Sequence, residues 1–283
     1  MEPLSIVAIS AAVGGAAGKL VEKAWNSGER WLASYFKDHH PEAQETAREN
    51  SLKFLSDLAQ RVHQLEEDAK DNARMKRQIE SALGDPDFSA LLKEALIASS
   101  RTGNEDKHKI LARIVSERLR CQSEGLVALT STLACDAVKH LTPKQMRFLG
   151  ITTFVYGIRP SPFPPAIPPE QFAQWYVNWL TRLLSLHLPI ESLTHLDFTH
   201  LESVSCIKYE SFVGRDLRKI LSPPAEAGYD WPFDDFIQNN PFGKQLYELW
   251  KNGMQQTTLT TAGRLIGIYV HDELTKTRTM IDW

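Results

Sequence analysis

The residues best suited to chemistry in this chain are its nine histidines, and the densest group is "HLDFTH", where His195 and His200 flank Asp197. Imidazole nitrogens and carboxylate oxygens are the donors a zinc ion takes, and two helical histidines share a face at i, i+4 spacing. His195 and His200 are five apart and point to different faces, so a surface or core role is expected and no metal. "HHPE", His39 to Glu42, reads as a turn leading into a helix with Pro41 at or near its first position, which calls for no metal either.

Nucleophilic and phosphate chemistry find no better footing. Cys121, Cys135 and Cys206 are an odd number, far apart and without a C-x-x-C, which fits reduced thiols in a cytoplasm. There is no G-x-S-x-G. "VGGAAGK", Val13 to Lys19, carries glycines and a lysine but lacks the four residues a P-loop needs between its first glycine and its Gly-Lys pair, and no strand precedes it. No catalytic, cofactor-binding or metal residue is assigned, and a non-enzymatic chain without cofactor is expected.

Two sets of residues remain as candidates for binding. Ser10, Gly14 and Gly18 are spaced by four within "IVAISAAVGGAAGKL", with Gly15 beside them, and such small-x-x-x-small ridges let another backbone approach closely. Adjacent glycines cost a helix roughly 1 kcal/mol each relative to alanine, which implies a packing partner. That partner is either the chain's own bundle, a second copy, or a membrane entered conditionally. The 16 uncharged residues from Pro3 to Gly18 fall short of the ~20 a spanning helix requires. The start Met1-Glu2-Pro3 lacks the basic region of an export signal. Lys208, Arg215, Arg218 and Lys219 form the second set, as contacts to nucleic-acid phosphates. With a net charge of -3 and no lysine or arginine in "IESLTHLDFTHLESV", that footprint is thin, and protein contacts are the favoured use.

The elements that must position these residues are mostly helical. Leu55, Leu58, Val62, Leu65 and Ala69 step by three and four, as do Phe88, Leu91, Leu92, Ala95 and Leu96 after "GDPD", and Leu111, Ile114, Val115 and Leu119 after "TGN". Asn104 is placed as a cap ahead of Glu105 and Asp106. Another face reads Leu126, Leu129, Thr130, Leu133, Ala134, Ala137, Val138. These predict an antiparallel bundle over residues 1–139. "LTPKQM" then combines Thr142 as N-cap, Pro143 at N1, Gln145 as capping-box partner and a staple of Leu141 with Met146.

"GIRPSPFPPAIPP", with six prolines, reads as a stiff loop over 157–169. The next helix turns Phe172, Trp175, Tyr176, Trp179, Leu180 and Leu183 toward a core. A short helix ending near Val204, a strand over Cys206 to Phe212, a second strand around Gln256 to Leu259 and a helix capped by Thr260 follow. That order predicts a winged-helix-like module over 140–283, with residues 222–244 as an insertion in the wing. The fold class expected is mainly α, with a small β-wing.

The runs "LLKEALIASSRTGNEDKHKILARIVSERL", "LTPKQMRFLG", "HLESVSCIKYE" and "LTTAGRLIG" resemble the layout of the bacterial abortive-infection alpha group and related phage-defence proteins, over roughly Phe88 to Gly267. The resemblance implies a helical module followed by a winged-helix-like one, in an antiviral role, and carries no catalytic residue. The function expected is therefore antiviral defence through self-assembly of a homo-oligomer, triggered by a phage or host protein. The protein would be cytoplasmic, with membrane disruption by the N-terminal helix on activation. The rival expectation, of a different class, is a winged-helix regulator that binds nucleic acid.

Overall fold

The computed structural model describes residues 5–35, 41–122, 124–160, 168–210, 212, 214–223 and 231–279. It is mainly helical, with one two-stranded sheet among the described residues, and divides into two compact units, residues 1–140 and 141–282.

The first unit is a helical bundle of α1 (Ile6–Val13), α2 (Gly15–Tyr35), α3 (Pro41–Asp68), α4 (Ala73–Leu83), α5 (Pro86–Ser100), α6 (Glu105–Arg118) and α7 (Leu126–His140). Helix α3 lies at its centre and packs on α1, α2, α5 and α6. The stripe Leu55, Leu58, Val62 and Leu65 is buried there with Phe88, Leu91, Ala95, Leu111, Ile114 and Val115. Local signals set the ends of these helices. Asp85 accepts from the Asp87 amide with Pro86 at N1 of α5, and Asn104 accepts from the Lys107 amide at the start of α6. Asn72 caps α4, a helix the sequence reading did not assign.

Two expectations for this unit change. The opening apolar stretch is not one helix, because Gly14 and Gly15 both take positive φ and turn the chain between α1 and α2. In α7 the phase is rotated from the expected face: Ala128, Thr130, Ser131, Ala134, Ala137 and Val138 are buried, whereas Leu126, Leu129 and Leu133 point outward. Small side chains allow α5 and α6 to approach α7 closely, so the leucines are left on the other side.

The second unit holds α8 (Pro143–Gly157), α9 (Pro169–His187), α10 (His195–Ser203), β1 (Ile207–Tyr209), α11 (Leu217–Leu221), α12 (Phe233–Asn239), α13 (Pro241–Lys251), a 3-10 turn (Met254–Gln256), β2 (Thr257–Leu259) and α14 (Thr261–Thr275). The Thr142–Gln145 capping box starts α8, over the buried staple of Leu141 and Met146. Helices α8 and α14 pack most intimately, where a Cβ on Gly150 would meet Val270 at 2.7 Å and one on Gly267 would meet the Leu149 carbonyl at 2.4 Å. Strands β1 and β2 pair antiparallel, with Lys208 opposite Thr258.

Both strands are shorter than expected: β1 starts after the positive φ of Ser205 and already ends at Tyr209, and the 3-10 turn consumes Gln256 before β2. The expected wing insertion, 222–244, is in part helical: Phe233–Asn239 and the stretch from Pro241 onward form α12 and α13, which bury Phe233, Phe236 and Leu246. Residues 224–230 of that insertion, 161–167 of the proline-rich loop, and His39 and His40 lie outside the described residues.

Candidate interaction surfaces

The "HLDFTH" group has a structural use. Asp197 Oδ2 accepts from the Thr194 amide at 2.8 Å at the start of α10 and pairs with Lys144 Nζ at 2.9 Å. Burial alone would raise this carboxyl, but the Thr194 hydrogen bonds and the Lys144 ammonium hold it below the usual carboxylate range. His195 lies edge-on to Tyr209 instead of sharing a site with His200. Among the described residues no group of three or more His, Cys, Asp or Glu is placed to hold a metal ion. Burial pushes the thiol of Cys121 up to about 11 and those of Cys135 and Cys206 to about 12, so each is protonated at neutral pH.

The four small residues of the opening stretch come together in one corner of the first unit. Gly14 turns the chain with φ 61° and Gly15 with φ 57°. A Cβ on Gly18 would come 2.8 Å from the Ser10 carbonyl, so the spacing that suggested a ridge lets α1 fold down on α2. The Glu66 carboxylate of α3 accepts from the Ala17 amide at 3.2 Å, in the first turn of α2, where a negative charge opposes the positive end of the helix dipole. The close approach is made within the chain. Helix α1 buries Ile9 and Ser10 and leaves Val7 72% exposed.

The four basic candidates separate. Arg215 Nη1 donates to the Thr257 carbonyl at 2.6 Å and Nη2 to the Thr258 hydroxyl, with the guanidinium 5.4 Å over the Tyr156 ring. Arg218 pairs with Asp234 and lies 4.9 Å over Phe233. Arg215 thus braces β2 and Arg218 braces α12, and only Lys208 and Lys219 of the set stand exposed without an ion pair among the described residues. The partners in α12 and β2 are distant in sequence, so spacing alone gave no sign of this use.

The surface that sequence reasoning missed is on α7. Leu126, Leu129 and Leu133 are 55%, 55% and 58% exposed at i, i+3, i+7, which is the a/d spacing of a helix seam. Asp136 and His140 continue the same exposed line, and Lys139 pairs with Asp136 at 2.6 Å. Large apolar side chains gathered on one exposed stripe mark a contact surface more often than scattered ones do.

No helix among the described residues is long and apolar enough to cross a membrane. No curated protein and no solved structure matches the chain. A protein-family model described only as ":-like", a description that names no activity, matches residues 18–226. That match covers well over half of the sequence, and the protein belongs to this family.

Proposed function

We propose that this protein acts by association instead of catalysis, with copies pairing through α7 as the first step of an assembly that serves bacterial antiviral defence. The exposed seam of Leu126, Leu129 and Leu133 carries the reading. A second copy of α7 fits it best in antiparallel register. Centred between Leu129 and Leu133, that register packs Leu129 of each copy on Leu133 of the other and brings Glu124 of each copy near Lys139 and His140 of the other. A parallel register would oppose like charges at both ends. The order of α10, β1, β2 and α14 supports a winged-helix-like module, used here for protein contacts because only Lys208 and Lys219 of the four basic candidates stand exposed without an ion pair among the described residues. A phage or host protein is the proposed trigger, and contact of α1 with a membrane the proposed output.

The test is the mass of the full chain by light scattering at micromolar concentration, alone and as Leu129→Glu. A dimer or larger species that falls to monomer in the variant is expected, together with loss of protection in phage-challenged bacteria. Monomer for both proteins sinks the assembly reading. Oxidation of Leu129→Cys mixed with Leu133→Cys separates the registers, since only the antiparallel pair links the two.

A further inference from the structure

The second unit contains a cavity of about 390 Å³ between the end of α8, strand β2 and the first turns of α14. That is within the range of small-molecule sites, roughly 300 to 1,000 Å³. Arg215 and Arg264 both line it, and among the described residues no carboxylate does. We propose that this cavity binds a small organic oxyanion, a phosphate monoester or carboxylate carried on a compact apolar body.

Three features argue for that ligand class. The Arg215 guanidinium is fixed by Thr257, Thr258 and the Tyr156 ring, so little rotamer entropy remains to be lost when an anion binds. It has five N–H donors, more than these contacts consume. Glu210 reaches the same guanidinium at 3.5 Å but is 45% exposed, which makes the pair a screened one that a desolvated ligand oxygen outcompetes.

Thr153 supplies the second feature. It lines the cavity from α8, is 4% exposed, and its hydroxyl has no hydrogen-bond partner among the described residues. A buried hydroxyl with its bond unmade is a standing cost to the fold, of the kind proteins keep where a ligand completes the bond. The third feature is the apolar wall of Ile158, Leu259 and Ile268, which fits a hydrocarbon body and gives a bare inorganic ion nothing to contact.

Calorimetric titration of the full chain with phenyl phosphate, benzoate and the neutral benzyl alcohol tests the proposal. One of the two anions is expected to bind saturably, with an affinity that falls as salt rises and exceeds that of the alcohol at least tenfold; whichever binds more tightly fixes phosphate or carboxylate as the ligand. Arg264→Gln, at an exposed position, is expected to weaken binding at least tenfold. Thr153→Val is expected to raise the unfolding midpoint of the free protein and to weaken binding, whereas a purely structural threonine would change stability alone. Absence of saturable binding up to millimolar anion, equal affinity for the alcohol, or an unaffected Arg264→Gln variant overturns the site. Because assembly is read as mass, these outcomes leave the α7 reading standing or falling on its own test.

Discussion

His187 Nε2 lies 2.9 Å from His271 Nδ1 between α9 and α14, with both rings stacked against Phe154 of α8. His187 Nδ1 has no partner among the described residues, so the arrangement that orphans no buried N–H has His187 donating from Nε2 to His271. Burial, then the charges of His271 and Arg147, push His187 down to about 3. Burial, partly opposed by Asp272, takes His271 down to about 4. Both rings are neutral in the folded chain, while in the unfolded chain they take up protons below the ordinary value of 6.5. Their contribution to stability is fully present above pH 6.5 and is lost as pH falls toward the folded values, at about 1.4 kcal/mol per pH unit for each ring. The urea midpoint is expected to drop between pH 7.5 and 5, and to drop less in His271→Gln. An unchanged wild-type midpoint over that interval removes the histidine pair as an acid-sensitive element.

A second stability prediction concerns Arg118, whose side chain is fully buried. Its Nη2 pairs with Asp85 at 2.8 Å and with Asp87 at 3.3 Å, while Nε and Nη1 find no partner among the described residues. Removing Asp85 leaves the buried charge only the more exposed and more distant Asp87 carboxylate at 3.3 Å, and Asp85 is also the N-cap of α5. Asp85→Ala is therefore expected to cost about 3 to 5 kcal/mol in urea unfolding. Arg118→Met removes the charge together with its desolvation penalty and is expected to cost clearly less. Equal costs for the two would mean that the ion pair itself, and not the stranded charge, dominates.

These pairs illustrate what the sequence made legible. Signals that act within three or four residues were readable: Thr142 with Gln145, Asn104 with Lys107, and Thr260 with Gly263 all cap the helices they were expected to cap. The phase of α7 was not, because its leucine stripe and its alanine stripe are both apolar and only the closeness of α5 and α6 decides which is buried. Gly14 and Gly15 were visible as an anomaly, but nothing local distinguishes a strained helix from a corner with positive φ. The candidate site residues were least legible. Arg215 meets Thr257 across 42 positions and His187 meets His271 across 84, and such partners leave no spacing to read.

The engagement of Arg215 and Arg218 also bears on the rival reading as a nucleic-acid regulator. With only Lys208 and Lys219 of the basic set exposed and unpaired, two phosphate contacts would give a slope of log affinity against log salt of roughly -1.8. Fluorescence anisotropy with duplex DNA is expected to show weak binding without sequence preference, reduced uniformly by Lys208→Glu with Lys219→Glu. Tight, sequence-selective binding in moderate salt would promote the regulator over the assembly reading.

The N-terminal corner yields the last prediction. Helix α1 has eight residues, a length of roughly 12 Å at 1.5 Å per residue, against a hydrocarbon core of about 30 Å. A single copy is too short and too weakly apolar to hold in a bilayer, but several copies presented on one assembly multiply their membrane affinity through effective concentration. Forced clustering of the full chain is expected to release dye from anionic vesicles. Gly14→Glu is a poor probe of this, because the positive φ at Gly14 would strain any side chain there. Val7 is the cleaner position, since it is 72% exposed and its replacement leaves the buried Ile9 and the Gly18–Ser10 approach untouched. Val7→Glu places a charge that costs roughly 2.5 to 3.5 kcal/mol per chain in hydrocarbon, so the clustered variant is expected to leave vesicles intact while keeping the wild-type mass. If clustered wild-type protein releases no dye, or if Val7→Glu releases as much, then α1 is a packed corner of the bundle and the membrane step should be abandoned.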